Sequence, residues 1–183
     1  WCLQSNSHLD AYESTTHKNT VDAMYAVGDK FQIRVNDENK VEYVWKGLVL
    51  YTSATTPVFP LVVDTNIYSS GGSITDFRWI TSDGFDTVTD TLTNGGIIKL
   101  NPMAKRSQSG STVTKEGLCL LDADDAGATS QVSIPGGGYG IEWTAAATNK
   151  RLYVGLATLS TNVGVSYGDI DYSWRLNNDA NLD

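Results

Sequence analysis

Asp169-Ile170-Asp171 sets two carboxylates two residues apart. In an extended chain that spacing turns both to one face. Paired carboxylates serve general acid/base chemistry when they flank a scissile bond. Here Tyr172-Ser173-Trp174 follows with no third acid, so the pair reads as a solvated or turn-side hydrogen-bonding face. Asp122, Asp124 and Asp125 offer oxygen ligands to a hard cation such as Ca²⁺, but the spaced Glu of an EF-hand loop is missing. The competing reading is a solvated acidic turn over Asp122–Gly127. His8 and His17 are isolated, suggest no Ser/His/Asp arrangement, and are expected in loops. Cys2 and Cys119 read either as two buried free thiols or as one disulfide in an exported protein. No CxxC or Cys/His cluster suggests structural zinc. Gly136-Gly137-Gly138 precedes no helix and reads as a turn, not a phosphate cradle. No catalytic residue and no cofactor emerges beyond this weak Ca²⁺ candidate.

The elements that would position these groups are strands. Phe31, Ile33 and Val35 alternate with Gln32 and Arg34, and Val41, Tyr43 and Trp45 alternate in the same way. Asn36–Asn39 is a polar turn of residues that tolerate left-handed or Asx-turn geometry. Lys46-Gly47 turns the chain again before Leu48-Val49-Leu50-Tyr51. The result is an antiparallel three-strand meander with one apolar face, which needs a covering layer. Trp1 and Leu3, Leu61–Asp64, Ile74–Ile80, Gly117–Leu121, Gln131–Ile134 and Ile170–Leu176 read as further strands, and residues near Leu92, Ile97 and Leu100 as short ones. Tyr139–Ala147 and Arg151–Leu159 read as a hairpin joined at Asn149-Lys150. Asn101–Lys115 reads as a long polar loop, and Thr81–Asp90 as the boundary between two halves. No amphipathic helix of three turns is found. Trp1, Trp45, Trp79, Trp143 and Trp174 all sit in strand patterns, where core packing outranks stacking on a sugar ring.

At 183 residues the chain suits one domain. Its net charge of −8 argues against nucleic acid or an anionic membrane as partner. No run reaches the length of a membrane-spanning helix. An acidic chain rich in Thr, Ser, Gly and Asn fits an extracellular or cell-surface protein. The start at Trp1 suggests a fragment, a processed subunit or a window of a longer polymer. WRLNNDANLD from Trp174 also resembles WCLQSNSHLD from Trp1, with Trp, Leu, Leu and Asp coinciding. That match is expected of one period of a tandem array plus a short overlap, and the competing reading is coincidence between two amphipathic strands.

Six motifs carry a family resemblance. They are Gly138–Thr144, Val154–Ala157, Tyr167–Tyr172, Tyr25–Ile33, Val41–Ser53 and Pro60–Asp64. Together they resemble concanavalin A-like (lectin or laminin-G-type) β-sandwich modules of large secreted and surface proteins, over about two thirds of the chain. Lys46 stands where such hairpins usually carry Asn. The order is permuted, with 1–82 resembling the second half of a module and 86–183 the first. The fold also hosts glycanases resembling family-16 glycoside hydrolases, whose E-x-D-x-x-E or E-x-D-x-E strand is absent here.

The expectation is therefore an all-β, two-sheet antiparallel β-sandwich, a concanavalin A-like jelly roll, formed as one unit over 1–183. The expected function is a non-enzymatic, extracellular structural or adhesive module, repeated or polymerised with copies of itself into a filament or surface appendage. A glycan-binding, lectin-like or receptor-binding domain is the alternative, and a glycoside hydrolase a distant third.

Overall fold

The computed structural model describes residues 8–21, 23–81, 96–102, 105–116, 126–160 and 166–177. Thirteen strands run in chain order: β1 (Leu9–Glu13), β2 (Thr16–Val21), β3 (Lys30–Val35), β4 (Val41–Trp45), β5 (Leu48–Thr52), β6 (Leu61–Ile67) and β7 (Ser73–Thr81), then β8 (Arg106–Ser109), β9 (Thr112–Lys115), β10 (Gly127–Ile134), β11 (Tyr139–Ala145), β12 (Leu152–Thr158) and β13 (Tyr172–Leu176). The only helical element among the described residues is a single 3-10 turn, Tyr167–Asp169. One sheet has the order β10-β6-β12-β13-β1-β2, the other β5-β4-β3-β11-β7-β9-β8. Every strand pairing among the described residues is antiparallel. The molecule is an all-β, two-sheet sandwich compatible with a jelly roll.

The expected meander is present as β3, β4 and β5. Asn36 builds its first turn as an Asx turn, its Oδ1 accepting from the amides of Glu38 at 3.0 Å and Lys40 at 2.9 Å. Lys46 (φ 53°) and Gly47 (φ 79°) both take left-handed backbone. That is the two-residue turn whose twist matches its strands. The covering layer is the six-stranded sheet. Phe31 stacks on its sheet neighbour Trp143 at 5.7 Å, and across the layers it meets the edge of Trp174 at 6.1 Å, while Tyr43 meets Trp174 at 5.5 Å. Aromatic pairs of this kind add about 0.5–1.5 kcal/mol each beyond area burial. Two polar tips also tie the layers together. Trp174 Nε1 donates to Gln32 O at 3.1 Å, and Tyr43 OH donates to Tyr12 O at 2.7 Å. Trp79, Trp143 and Trp174 are buried as expected, and Trp45 is half-buried.

The two halves of the sequence are interleaved. β6 lies between β10 and β12, and β11 lies between β3 and β7. The segment 96–101 joins both sheets along one side. Its amides and carbonyls pair with β7 through Trp79 and Phe77, and with β10 through Gln131 and Thr129.

Several expectations are corrected. Tyr139–Ala147 and Arg151–Leu159 are not a hairpin: β11 belongs to the seven-stranded sheet and β12 to the six-stranded one. β12 is buried almost throughout and takes partners on both sides, and residues 146–151 carry the chain between layers about 10 Å apart. Asn101–Lys115 is not simply a loop, because β8 and β9 form an edge hairpin within it. β1 and β2 were not expected, and His17 sits on β2 rather than in a loop. The strand expected from Ile170 starts at Tyr172. Ile97 and Leu100 make isolated bridges to Arg78 and Ser130. The strands expected at Trp1–Leu3 and Gly117–Leu121, and most of Thr81–Asp90, lie outside the described residues.

Candidate functional site

β1, β12 and β13 bring the same end of the six-stranded sheet to one place. Glu13 pairs with Tyr172, and Tyr172 with Leu156. Around that end lies a cleft of about 360 Å³. Its walls are Glu13 and Ser14 from the β1–β2 turn, Thr16 and Lys18 from β2, and Thr55, Thr56 and Val58 from the loop after β5. Thr158 at the end of β12 and Asp171-Tyr172 complete it.

Each wall is held locally. Ser14 turns the β1–β2 hairpin with left-handed backbone (φ 51°), and its amide donates to Asp171 O at 2.8 Å. Asp171 Oδ2 accepts from the Thr158 amide at 2.7 Å, which closes the end of β12 onto the start of β13. Glu13 is buried. Its carboxylate faces Lys18 Nζ at 3.3 Å and accepts from Tyr51 OH at 3.3 Å. Ser53 Oγ accepts from the Thr55 amide at 2.9 Å, and Lys40 Nζ donates to Thr56 Oγ1 at 3.2 Å. Burial, with Asp171 and Glu13 nearby, pushes the Tyr172 phenol up to about 12. Burial and Glu13 also raise Tyr51.

Six hydroxyl side chains, two carboxylates and Lys18 therefore line one opening, with Val58 as an apolar wall. Hydroxyls both donate and accept, and carboxylates accept through two oxygens each. Such a surface suits a neutral, polyhydroxylated ligand.

Of the residues singled out from sequence, Asp171 reaches the cleft. Asp169 does not share its face. Asp169 closes the 3-10 turn, its Oδ2 accepting from the Ser166 amide at 3.1 Å, while Ser166 Oγ accepts from Gly168 N at 3.2 Å. That capping box curls the chain just where period-2 alternation was assumed. His17 lies 5.4 Å from the Tyr12 ring and 3.5 Å from Asp10. His8 precedes β1 and is partly buried. Gly136–Gly138 form the turn expected between β10 and β11. Cys2, Cys119, Asp122, Asp124 and Asp125 lie outside the described residues. Among the described residues no group of three or more His, Cys, Asp or Glu side chains could hold a metal, and no helix is long and apolar enough to cross a membrane.

Sequence reasoning missed Glu13, Thr16, Lys18, Thr55, Thr56 and Thr158. Their one signal was the density of Thr and Ser beside turn residues in Glu13–Thr16 and Ser53–Thr56. No protein-family model matches the chain, and neither a curated protein nor a solved structure matches it.

Proposed function

We propose that this chain is a non-enzymatic, extracellular adhesive module of the concanavalin A-like type, which holds a saccharide in the cleft at the end of its six-stranded sheet. The observation that carries the reading is the lining. Ser14, Thr16, Thr55, Thr56 and Thr158 present hydroxyls beside Glu13 and Asp171. Both carboxylates are engaged in holding strands together, Asp171 at the Thr158 amide and Glu13 at Lys18 and Tyr51. Their role in this reading is that of fixed acceptors for ligand hydroxyls. The cleft's volume lies at the small end of the usual range for ligand pockets, about 300–1,000 Å³.

A glycan array followed by calorimetric titration tests this. Binding that weakens in Thr16→Val and Asp171→Asn supports it, and no binding at millimolar sugar rejects it. Hydrolysis of a β-glucan that disappears in Asp171→Asn would instead make the chain a glycanase. A second reading, a structural module polymerised with its own copies, is favoured by a different observation, the outer edge of β5, along which no strand pairs among the described residues.

A further inference from the structure

We propose that β5 is a docking edge for a second copy of this chain, the two β5 strands pairing antiparallel about a two-fold axis to make one continuous sheet. The inference rests on the reading that copies of this chain associate, names one contact between two of them, and does not depend on the cleft.

Among the described residues the sandwich has four edge strands, β10, β2, β5 and β8. β2 carries Lys18, and β8 carries Arg106. The outer side of β10 is met by residues 99–101. β5, Leu48-Val49-Leu50-Tyr51-Thr52, has no charge, no Pro and no Gly. Leu48 is 65% exposed and Val49 45%. Charges, prolines, bulges and covering loops are the usual devices that keep an edge from pairing; β5 has a bulge and, among the described residues, none of the others. The bulge lies against Tyr43/Val44, and Asn19 Nδ2 donates to Leu50 O at 3.3 Å. Among the described residues no hydrogen bond beyond the β4 ladder reaches the backbone of Val49 or Thr52.

A row of outward N–H and C=O groups is complemented by another strand, which selects a strand as occupant. The strand's own sequence selects a second copy. Antiparallel pairing about an axis between Leu50 and Tyr51 sets the outward backbone groups of Val49 opposite those of the partner's Thr52 and Leu50 beside the partner's Tyr51, an aliphatic–aromatic pair, and no like charges meet along the strand. Lys46, at the turn, is already 3.1 Å from Asp29. A two-fold axis makes the contact isologous and closed. One five-residue strand pair buries less than the roughly 1,200 Å² of a stable interface, so the isolated dimer is weak and reversible. Copies held together in an array would gain through effective concentration. The net charge of −8 on each copy makes the dimer tighter as salt screens their repulsion.

Sedimentation velocity on the full chain from about 10 μM to about 1 mM reads the equilibrium. The expected result is a monomer–dimer equilibrium that tightens with salt. In L48K/V49K, with its thermal melt checked, dissociation should rise at least about tenfold. Leu159→Lys, an exposed apolar position elsewhere, should leave it unchanged. Hydrogen exchange at high concentration should slow at Val49 and Thr52. Self-association that survives L48K/V49K overturns the β5 interface while leaving the polymeric reading standing. A chain that stays monomeric throughout overturns both.

Discussion

Among the glycines of the described residues, Gly155 has the environment that leaves least room for a side chain. It lies in the middle of β12, and a Cβ there would stand 1.9 Å from Tyr172 O and 2.8 Å from both Ser173 Cα and Ile170 Cγ2. Two of these neighbours are backbone of the adjoining strand, which cannot rotate away. Gly155→Ala should cost about 3 kcal/mol or more, read as a fall in the denaturation midpoint. A second residue-scale effect concerns alkali. Burial pushes Tyr25, Tyr153 and Tyr172 up to about 12 from an ordinary 10.0, and it raises Tyr43 further. The unfolded chain therefore ionises first. The stability these phenols carry is complete below their ordinary value and is lost as pH climbs toward 12. Melting temperatures from about pH 9 to about pH 12 should fall steadily, with these tyrosines titrating late in absorbance. Neither residue effect was legible in the sequence. Gly155 sits in a Val-Gly-Leu run whose glycine shows its purpose only when β13 is laid beside it. Asp171 could be noticed, but its pairing with Thr158 depends on a partner strand no periodicity names.

At the scale of elements, the β4–β5 turn isolates backbone conformation from packing. A Cβ on Gly47 would meet nothing within 4 Å, yet φ is +79°. Gly47→Ala should therefore cost only the left-handed strain, about 1–2 kcal/mol, measured as a shift in urea midpoint with the slope unchanged. This hairpin was readable because its signals are local: alternation in β3 and β4, Asx chemistry at Asn36, and a two-residue turn. The supposed β11–β12 hairpin misled for the same reason. Two apolar runs around Asn149-Lys150 look locally like a hairpin, but both strands are buried enough to need neighbours from distant sequence. Their pairings with β3, β7, β6 and β13 are set by the whole sandwich. β8 and β9 were missed because RSQS and TVTK, on a half-exposed edge, carry little hydrophobic contrast. The cleft was still less legible, since its hydroxyls come from four separate stretches that only the closed sandwich assembles.

At the scale of the molecule, the interleaving of the two halves governs cooperativity. Residues 1–81 alone would leave β6 without β10 and β12, and would leave β3 and β7 with an open gap where β11 belongs. Fragments 1–81 and 82–183, prepared separately, should each lack the near-ultraviolet signature of a packed aromatic core. They should regain it on mixing, and independent folding of either would overturn the expectation. All-β class and a two-layer build could be read from the frequency of short strands and the absence of helical periodicity. The strand order could not, because pairing partners lie far apart in sequence. The pairing of β1 with β13 carries a mechanical consequence. Leu9 faces Leu176 at one end of that ladder, and Glu13 faces Tyr172 at the other. Tension applied through the chain on either side of Leu9 and Leu176 would load the rungs one after another from the same end, peeling the strands apart instead of shearing them. A module with this geometry yields early under pull, and in a chain of such modules it would act as an extensible link.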